Sequence, residues 1–189
     1  MSSPATECAG PPPVILQPIQ WWLGPKAEWD GAVLEERRRP ARLLAKCNRR
    51  GEQFRSAIRA RCARDVVFFV QNFVWCLDPR EIEVALYPFV LFPIQADYLR
   101  FIEECVRDRQ QFLCEKSRDI GVTYLNCAFA VHRWLFVPGW KTTFCANKLE
   151  LVDVQGNPDT IFEKLRGTLR MLPKWLLPGA GYHSREARL

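Results

Sequence analysis

Apolar residues recur at three- and four-residue spacing along several stretches of the chain, and each stretch predicts a helix. Phe54, Ile58, Cys62, Val66, Phe69, Val70 and Phe73 follow this spacing with arginines between them, which predicts helix from about Ala41 to Val74. Asp78-Pro79 ends or restarts it. Leu99, Ile102, Cys105 and Val106 mark one face of a helix across 96–109. From about Gly121 to Phe136 the helix is apolar enough to be sandwiched, with Leu125, Ala128, Phe129, Val131 and Leu135. The last helix, about 159–172, carries Ile161, Phe162, Leu165, Leu169 and Leu172 on one side and stops at Pro173.

The intervening segments have other patterns. "YPFVLFPIQ" (87–95) is extended, because Pro88 and Pro93 push the residues before them out of helical geometry. "QQFLCE" (110–115) reads as a short buried strand, and "WKTTFCAN" (140–147), rich in β-branched and aromatic residues, as a second one. Strand, loop, helix, turn, strand, helix is a βαβ progression. It predicts an α/β fold with parallel pairing and a right-handed crossover. The expected architecture is therefore a partial parallel sheet with flanking helices, preceded by a helical region.

Composition narrows the class. A chain of 189 residues with 48% hydrophobic content can bury one core. No apolar stretch reaches the roughly 18 residues that span a bilayer, since Asp119, Asn126, His132 and Arg133 interrupt the longest one. The first residues lack a basic segment and carry prolines where a signal peptide is apolar, so a cytoplasmic location without membrane contact is expected. The eight cysteines are widely scattered with no C-x-x-C pair, and only His132 and His183 could join them in a metal site. They read as reduced core cysteines.

Charge is uneven. Residues 37–64 hold eleven Arg or Lys against the single acid Glu52, a net of +10, while the chain as a whole is at +6. A basic helix on an acidic body suggests an anionic partner, nucleic acid first, though a merely solvated helix face has the same composition. The arginines are spaced too generally for one bidentate site, which suits sequence-independent contact with duplex DNA, with Arg49, Arg50, Arg55 and Arg59 as the candidates.

The candidate chemistry lies between the first predicted strand and the second long helix. Lys116-Ser117-Arg118-Asp119-Ile120-Gly121-Val122-Thr123 has the outline of a phosphate-binding loop. In such loops backbone N–H groups wrap the phosphates, a lysine neutralises them, and a hydroxyl ligates magnesium. With Gly121 aligned to the second glycine, Thr123 takes the hydroxyl position, Val122 occupies the usual lysine position, and Lys116 stands at the start of the loop. Read alone, the octet also fits a strand-to-helix turn that happens to carry Lys and Thr.

Its surroundings are more specific. "LFPIQADYLRFI", "EKSRDIGVTYLNCAFAVHRWLF", "TTFCANKLELVD" and "GNPDTIFEKLRGTLRMLPKWLLP" resemble, in order and spacing, the large terminase subunits of tailed bacteriophages. The branch resembled is the one whose Walker A lysine opens the loop, and the similarity covers about residues 78–180. The resemblance implies a P-loop ATPase of the ASCE class that packages DNA. Gln95 would then match an adenine-reading glutamine, whose amide both donates and accepts, with Phe92 or Pro93 beside the base. It also implies residues 116–123 as the ATP loop, Lys116 as the phosphate cation and Thr123 as the Mg²⁺ ligand. Arg118 would contact the γ-phosphate, and Asn147-Lys148 would lie near the nucleotide or DNA. The implied partners are double-stranded DNA, the terminase small subunit and the capsid portal.

Two parts of that family's machinery have no counterpart. No apolar strand ending in Asp-Glu follows residue 150, and the acids there, Asp153, Asp159 and Glu163, fall in a loop and on a helix. A carboxylate-rich nuclease region is also missing. The expectation is an N-terminal portion of a terminase with about half an ATP site and little hydrolysis of its own. Its divisions would be a tail (1–35), a basic helical region (36–77), the front of the ATPase domain (78–182) and a divergent end (183–189). The competing readings are a non-enzymatic nucleic-acid-binding protein that uses the arginine-rich helix, and a different P-loop enzyme such as a helicase or small kinase.

Overall fold

The computed structural model of the protein describes residues 26–77, 86–117 and 120–178. In chain order the elements are α1 (Lys26–Arg64), α2 (Val66–Phe73), β1 (Trp75–Leu77), β2 (Leu86–Pro88), α3 (Pro93–Arg107), α4 (Val122–Phe136), α5 (Leu149–Val152) and α6 (Ile161–Met171).

α1 is two helical limbs rather than one rod. Gly51 sits at φ 75°, ψ −163°, a region that only glycine enters without strain, and the chain reverses there. The limbs meet across this turn, where Lys46 lies 5.5 Å over the Phe54 ring. Arg55 Nε donates to the Cys47 carbonyl oxygen (3.3 Å), and Arg39 reaches Gln71 Oε1 (3.1 Å) in α2. The helix starts ten residues inside the stretch expected to be a tail.

α2 is the hub of the core. Asp65 caps it, accepting from Phe68 N at 2.8 Å. Val66, Val67, Phe69, Val70, Asn72 and Phe73 are all buried, so this short helix is surrounded by α1, α3 and α4. Phe69 has no exposed surface and meets Phe73, His132 and Phe136 at ring separations of 6.4, 5.4 and 5.8 Å. Trp175 closes the far side against Phe73 (5.8 Å). α4 lies between α2 and α6, burying Leu125, Cys127, Ala128, Phe129, Ala130, Val131, His132 and Leu135. Burial pushes the Cys62 and Cys127 thiols up to about 12, so both are inert core groups.

The expected P-loop-type parallel sheet does not form. Among the described residues the only strand pairing is antiparallel, β1 against β2, with Trp75 opposite Pro88 and Leu77 opposite Leu86. Neither 110–117 nor 140–146 enters a sheet. Residues 111–117 are exposed throughout, with Leu113 at 96%. The physical reason is pairing: a strand leaves half of its backbone groups unsatisfied unless a neighbouring strand supplies partners, and no described strand pairs with either segment, although Phe112 packs on Tyr98 and Phe101 of α3. The fold is helical, with one small β-ribbon. No described helix is long and apolar enough to cross a membrane.

Candidate nucleotide-binding loop

Two segments far apart in sequence meet at the entrance to α4. Pro93 opens α3, where its missing N–H costs nothing, and Gln95 follows at the third helical position. The Gln95 amide is 6% exposed and both of its ends are engaged. Phe92 N donates to Oε1 (3.0 Å), which fixes the start of α3, and Nε2 donates to the Ile120 carbonyl oxygen (3.0 Å). One side chain thus holds the "FPIQ" turn against the end of the 116–121 segment. An adenine edge would have to use the second N–H and second lone pair of the same amide.

Gly121 makes this approach possible. It adopts φ 79°, ψ 8° as the N-cap of α4, and a Cβ there would stand 3.2 Å from Gln95 Nε2 and 3.7 Å from the Phe89 ring. Gly121→Ala should therefore cost about 1–3 kcal/mol from the left-handed backbone and the crowded amide. Urea denaturation checks this, and a midpoint equal to that of the natural chain would contradict it.

Gly121 offers no capping side chain to α4, and helix geometry leaves its first amides, at Val122 and Thr123, without an intrahelical acceptor. Thr123 is exposed on this first turn, and Tyr124 beside it packs edge-on against Phe89 (6.1 Å). Lys116 and Ser117 are exposed, Ile120 and Val122 half-buried. Arg118 and Asp119 lie outside the described residues. Asn147 and Lys148 are exposed, with Lys148 immediately before α5.

Two of the downstream acids, Asp153 and Glu163, are occupied. Arg166 takes both oxygens of Asp153 (2.7 and 2.8 Å), and its hydrogen bond holds that carboxyl below the ordinary aspartate range. Glu163 accepts from Arg170 (2.7 Å), Arg166 (3.3 Å) and Gly156 N (3.3 Å). These contacts fasten the 153–160 segment to α6, and no metal-holding group of acids, histidines and cysteines occurs among the described residues.

Lys164 was not singled out in the sequence. Its ammonium donates to the Pro158 and Asp159 carbonyl oxygens and lies 5.6 Å from the Tyr124 ring, on the first turn of α4. Burial lowers its pKa. Its place in a helical repeat beside Glu163 gave no sign of this.

The four basic candidates on α1 separate into two pairs. Arg49 and Arg50 are exposed at the Gly51 reversal with no carboxylate partner among the described residues. Arg55 is tied to the Cys47 carbonyl, while Arg59 donates to the Leu176 carbonyl oxygen and covers the Phe136 ring at 5.5 Å.

No protein-family model matches the chain, and no curated protein or solved structure shows significant similarity to it.

Proposed function

We propose that this chain is a nucleotide-binding part of a DNA-packaging ATPase of the terminase large-subunit type. The observation that carries the reading is the Gln95 Nε2 to Ile120 carbonyl contact (3.0 Å), which joins two of the stretches that carry the resemblance. The start of α4, where the N-cap Gly121 has no capping side chain, adds a set of backbone donors suited to a phosphate, and Lys116 supplies a cation six residues before that helix. ATP with Mg²⁺ is the ligand class, with Thr123 positioned by the resemblance for the metal and Arg118 for the γ-phosphate. Gln95 then acts first as the brace of the loop and only through its remaining N–H and lone pair on the base.

The test is equilibrium binding of a fluorescent ATP analogue to the full chain. Lys116→Ala is expected to abolish detectable binding, and Gln95→Ala to weaken it about tenfold, a change of about 1.4 kcal/mol. Full affinity after Lys116→Ala removes the nucleotide reading. Turnover is expected to be negligible, because Asp153 and Glu163 are committed to Arg166 and Arg170 and no acid after the loop ends a described strand.

A second reading is contact with duplex DNA through α1, supported by the exposure of Arg49 and Arg50. Binding should be insensitive to sequence and fall steeply with salt, each neutralised phosphate adding about 0.9 to the slope. Arg49→Gln with Arg50→Gln should lower that slope by about 2 units, and an unchanged slope ends the reading. The small subunit and the portal remain partners on the resemblance alone.

A further inference from the structure

A cavity of about 240 Å³ opens between β1, the first turn of α4 and α6. Trp75 and Tyr124 give it aromatic walls, and Lys164, Gly167, Thr168 and Met171 line it from α6. Those four positions stand at i, i+3, i+4 and i+7, so a single face of α6 forms this side of the cavity.

Gly167 is the unexpected member of that face. A glycine in a helix interior is less stable than an alanine, because it loses more backbone freedom on folding. The usual reasons for keeping one do not apply at this position. Its backbone is ordinary right-handed helix, and a Cβ there would meet no described atom within 4 Å, so no neighbouring element packs close. What a side chain at 167 would take up is the space of the cavity itself.

Charge selects what that space can hold. The Lys164 ammonium donates to the Pro158 and Asp159 carbonyl oxygens, which leaves one of its three hydrogens for a ligand. Glu163 on the same wall is already committed, accepting from Arg170 at Oε1 and from Arg166 and Gly156 N at Oε2. A cation would meet Lys164 and Arg170 with only that committed carboxylate to balance them, whereas an anion meets a charged donor with a hydrogen to spare. The aromatic walls suit a flat ring. A volume of 240 Å³ lies just under the roughly 300–1,000 Å³ of typical small-molecule sites, which fits one or two fused rings rather than a whole nucleotide.

We propose that this cavity binds a small planar aromatic acid, with the ring against Trp75 and Tyr124 over Gly167 and the acid group on Lys164. The site is independent of nucleotide binding at 116–123.

The probes are indole-3-acetate, 2-naphthoate and benzoate, each compared with its neutral amide by isothermal titration into the full chain. At least one acid should bind one-to-one with sub-millimolar affinity, and its amide about tenfold more weakly. Gly167→Leu fills the cavity and should abolish binding, with circular dichroism verifying that the helices remain. Gly167→Ala should bind about threefold more weakly and yet unfold at a higher urea concentration, a pairing that follows only if the glycine is kept for a ligand. Lys164→Met should bring acid and amide to equal affinity. Lack of saturable binding by all three acids, or undiminished binding to either glycine variant, would overturn the proposal. So would equal affinity of acid and amide for the natural chain, or displacement of the bound acid by ATP, which would make the cavity part of the nucleotide site.

Discussion

Phe69→Ala is expected to destabilise the protein by about 3–5 kcal/mol, the range for truncating a fully buried aromatic ring. The ring has no exposed surface and touches elements on both sides of the hub, Phe73 on its own helix and both His132 and Phe136 on α4. Removing it opens a cavity that α1 and α4 cannot close, because each is held elsewhere, α1 by Arg59 on the Leu176 carbonyl and α4 by Arg133 on Glu103 at 2.7 Å. Against a total stability of about 5–15 kcal/mol for a domain of this kind, a loss of that size leaves much of the population unfolded in modest denaturant. Urea titration of the natural chain, Phe69→Ala and Phe69→Leu provides the check, with the leucine variant expected between the other two. A loss below about 1 kcal/mol for the alanine variant would show that α2 is not the centre of the core.

The second large effect concerns acid. His132 is fully buried, its Nε2 2.8 Å from the Cys62 carbonyl oxygen. A carbonyl only accepts, so Nε2 carries the hydrogen and Nδ1 is left without a partner, beside the Phe69 and Phe136 rings. Burial lowers the pKa of the ring to about 4 from its ordinary 6.5. The folded protein therefore takes up this proton later than the unfolded chain does. Stability from this group is complete above about pH 6.5, falls as the pH drops toward 4, and changes no further below that. The full span corresponds to about 3 kcal/mol. Denaturation midpoints measured from pH 7.5 to 4.5 should fall accordingly, and His132→Leu should flatten the slope. The acids with depressed pKa values, Asp153 and Glu163, titrate mostly below this window. A natural chain with a flat profile would refute the assignment.

The helices were legible because their burial is periodic. α4 and α6 fall within the ranges read from Leu125 and Leu165 and their repeats, since each packs one or more faces on a core that fixes the period. α3 instead starts three residues before the expected 96–109, at Pro93, in the stretch expected to be extended, because proline at a first helical position costs no hydrogen bond. The reversal at Gly51 was not legible, because the arginine-rich pattern continues through it and one glycine inside a helical run gives no direction. The two strand assignments failed for a different reason. "QQFLCE" and "WKTTFCAN" have the composition of strands, but composition describes what a segment does when another strand pairs with it, and among the described residues neither acquires a strand partner. At the candidate site the order of "FPIQ" and the loop was visible in the sequence, while the contact that joins them was not. The pattern points Gln95 at a ligand, and the structure adds a contact that no pattern carries, from its amide to the Ile120 carbonyl oxygen. The same limit hid the internal roles of Arg55 and Arg59, which depend on Cys47 and Leu176 being within reach.

The turn at Gly51 also bears on the order in which the chain acquires its shape. Because the limbs of α1 fold back on one another and then onto α2, their mutual contacts close short loops of chain, the kind of contact that forms early and fast. Residues 26–73 can therefore come together as soon as they have left the ribosome, while α4 is still to be made. His132 arrives later, and its bond to the Cys62 carbonyl joins a helix synthesised second to a helical hairpin that already exists. The contact that the chain can make only after α4 is synthesised is also the one that proton uptake opposes.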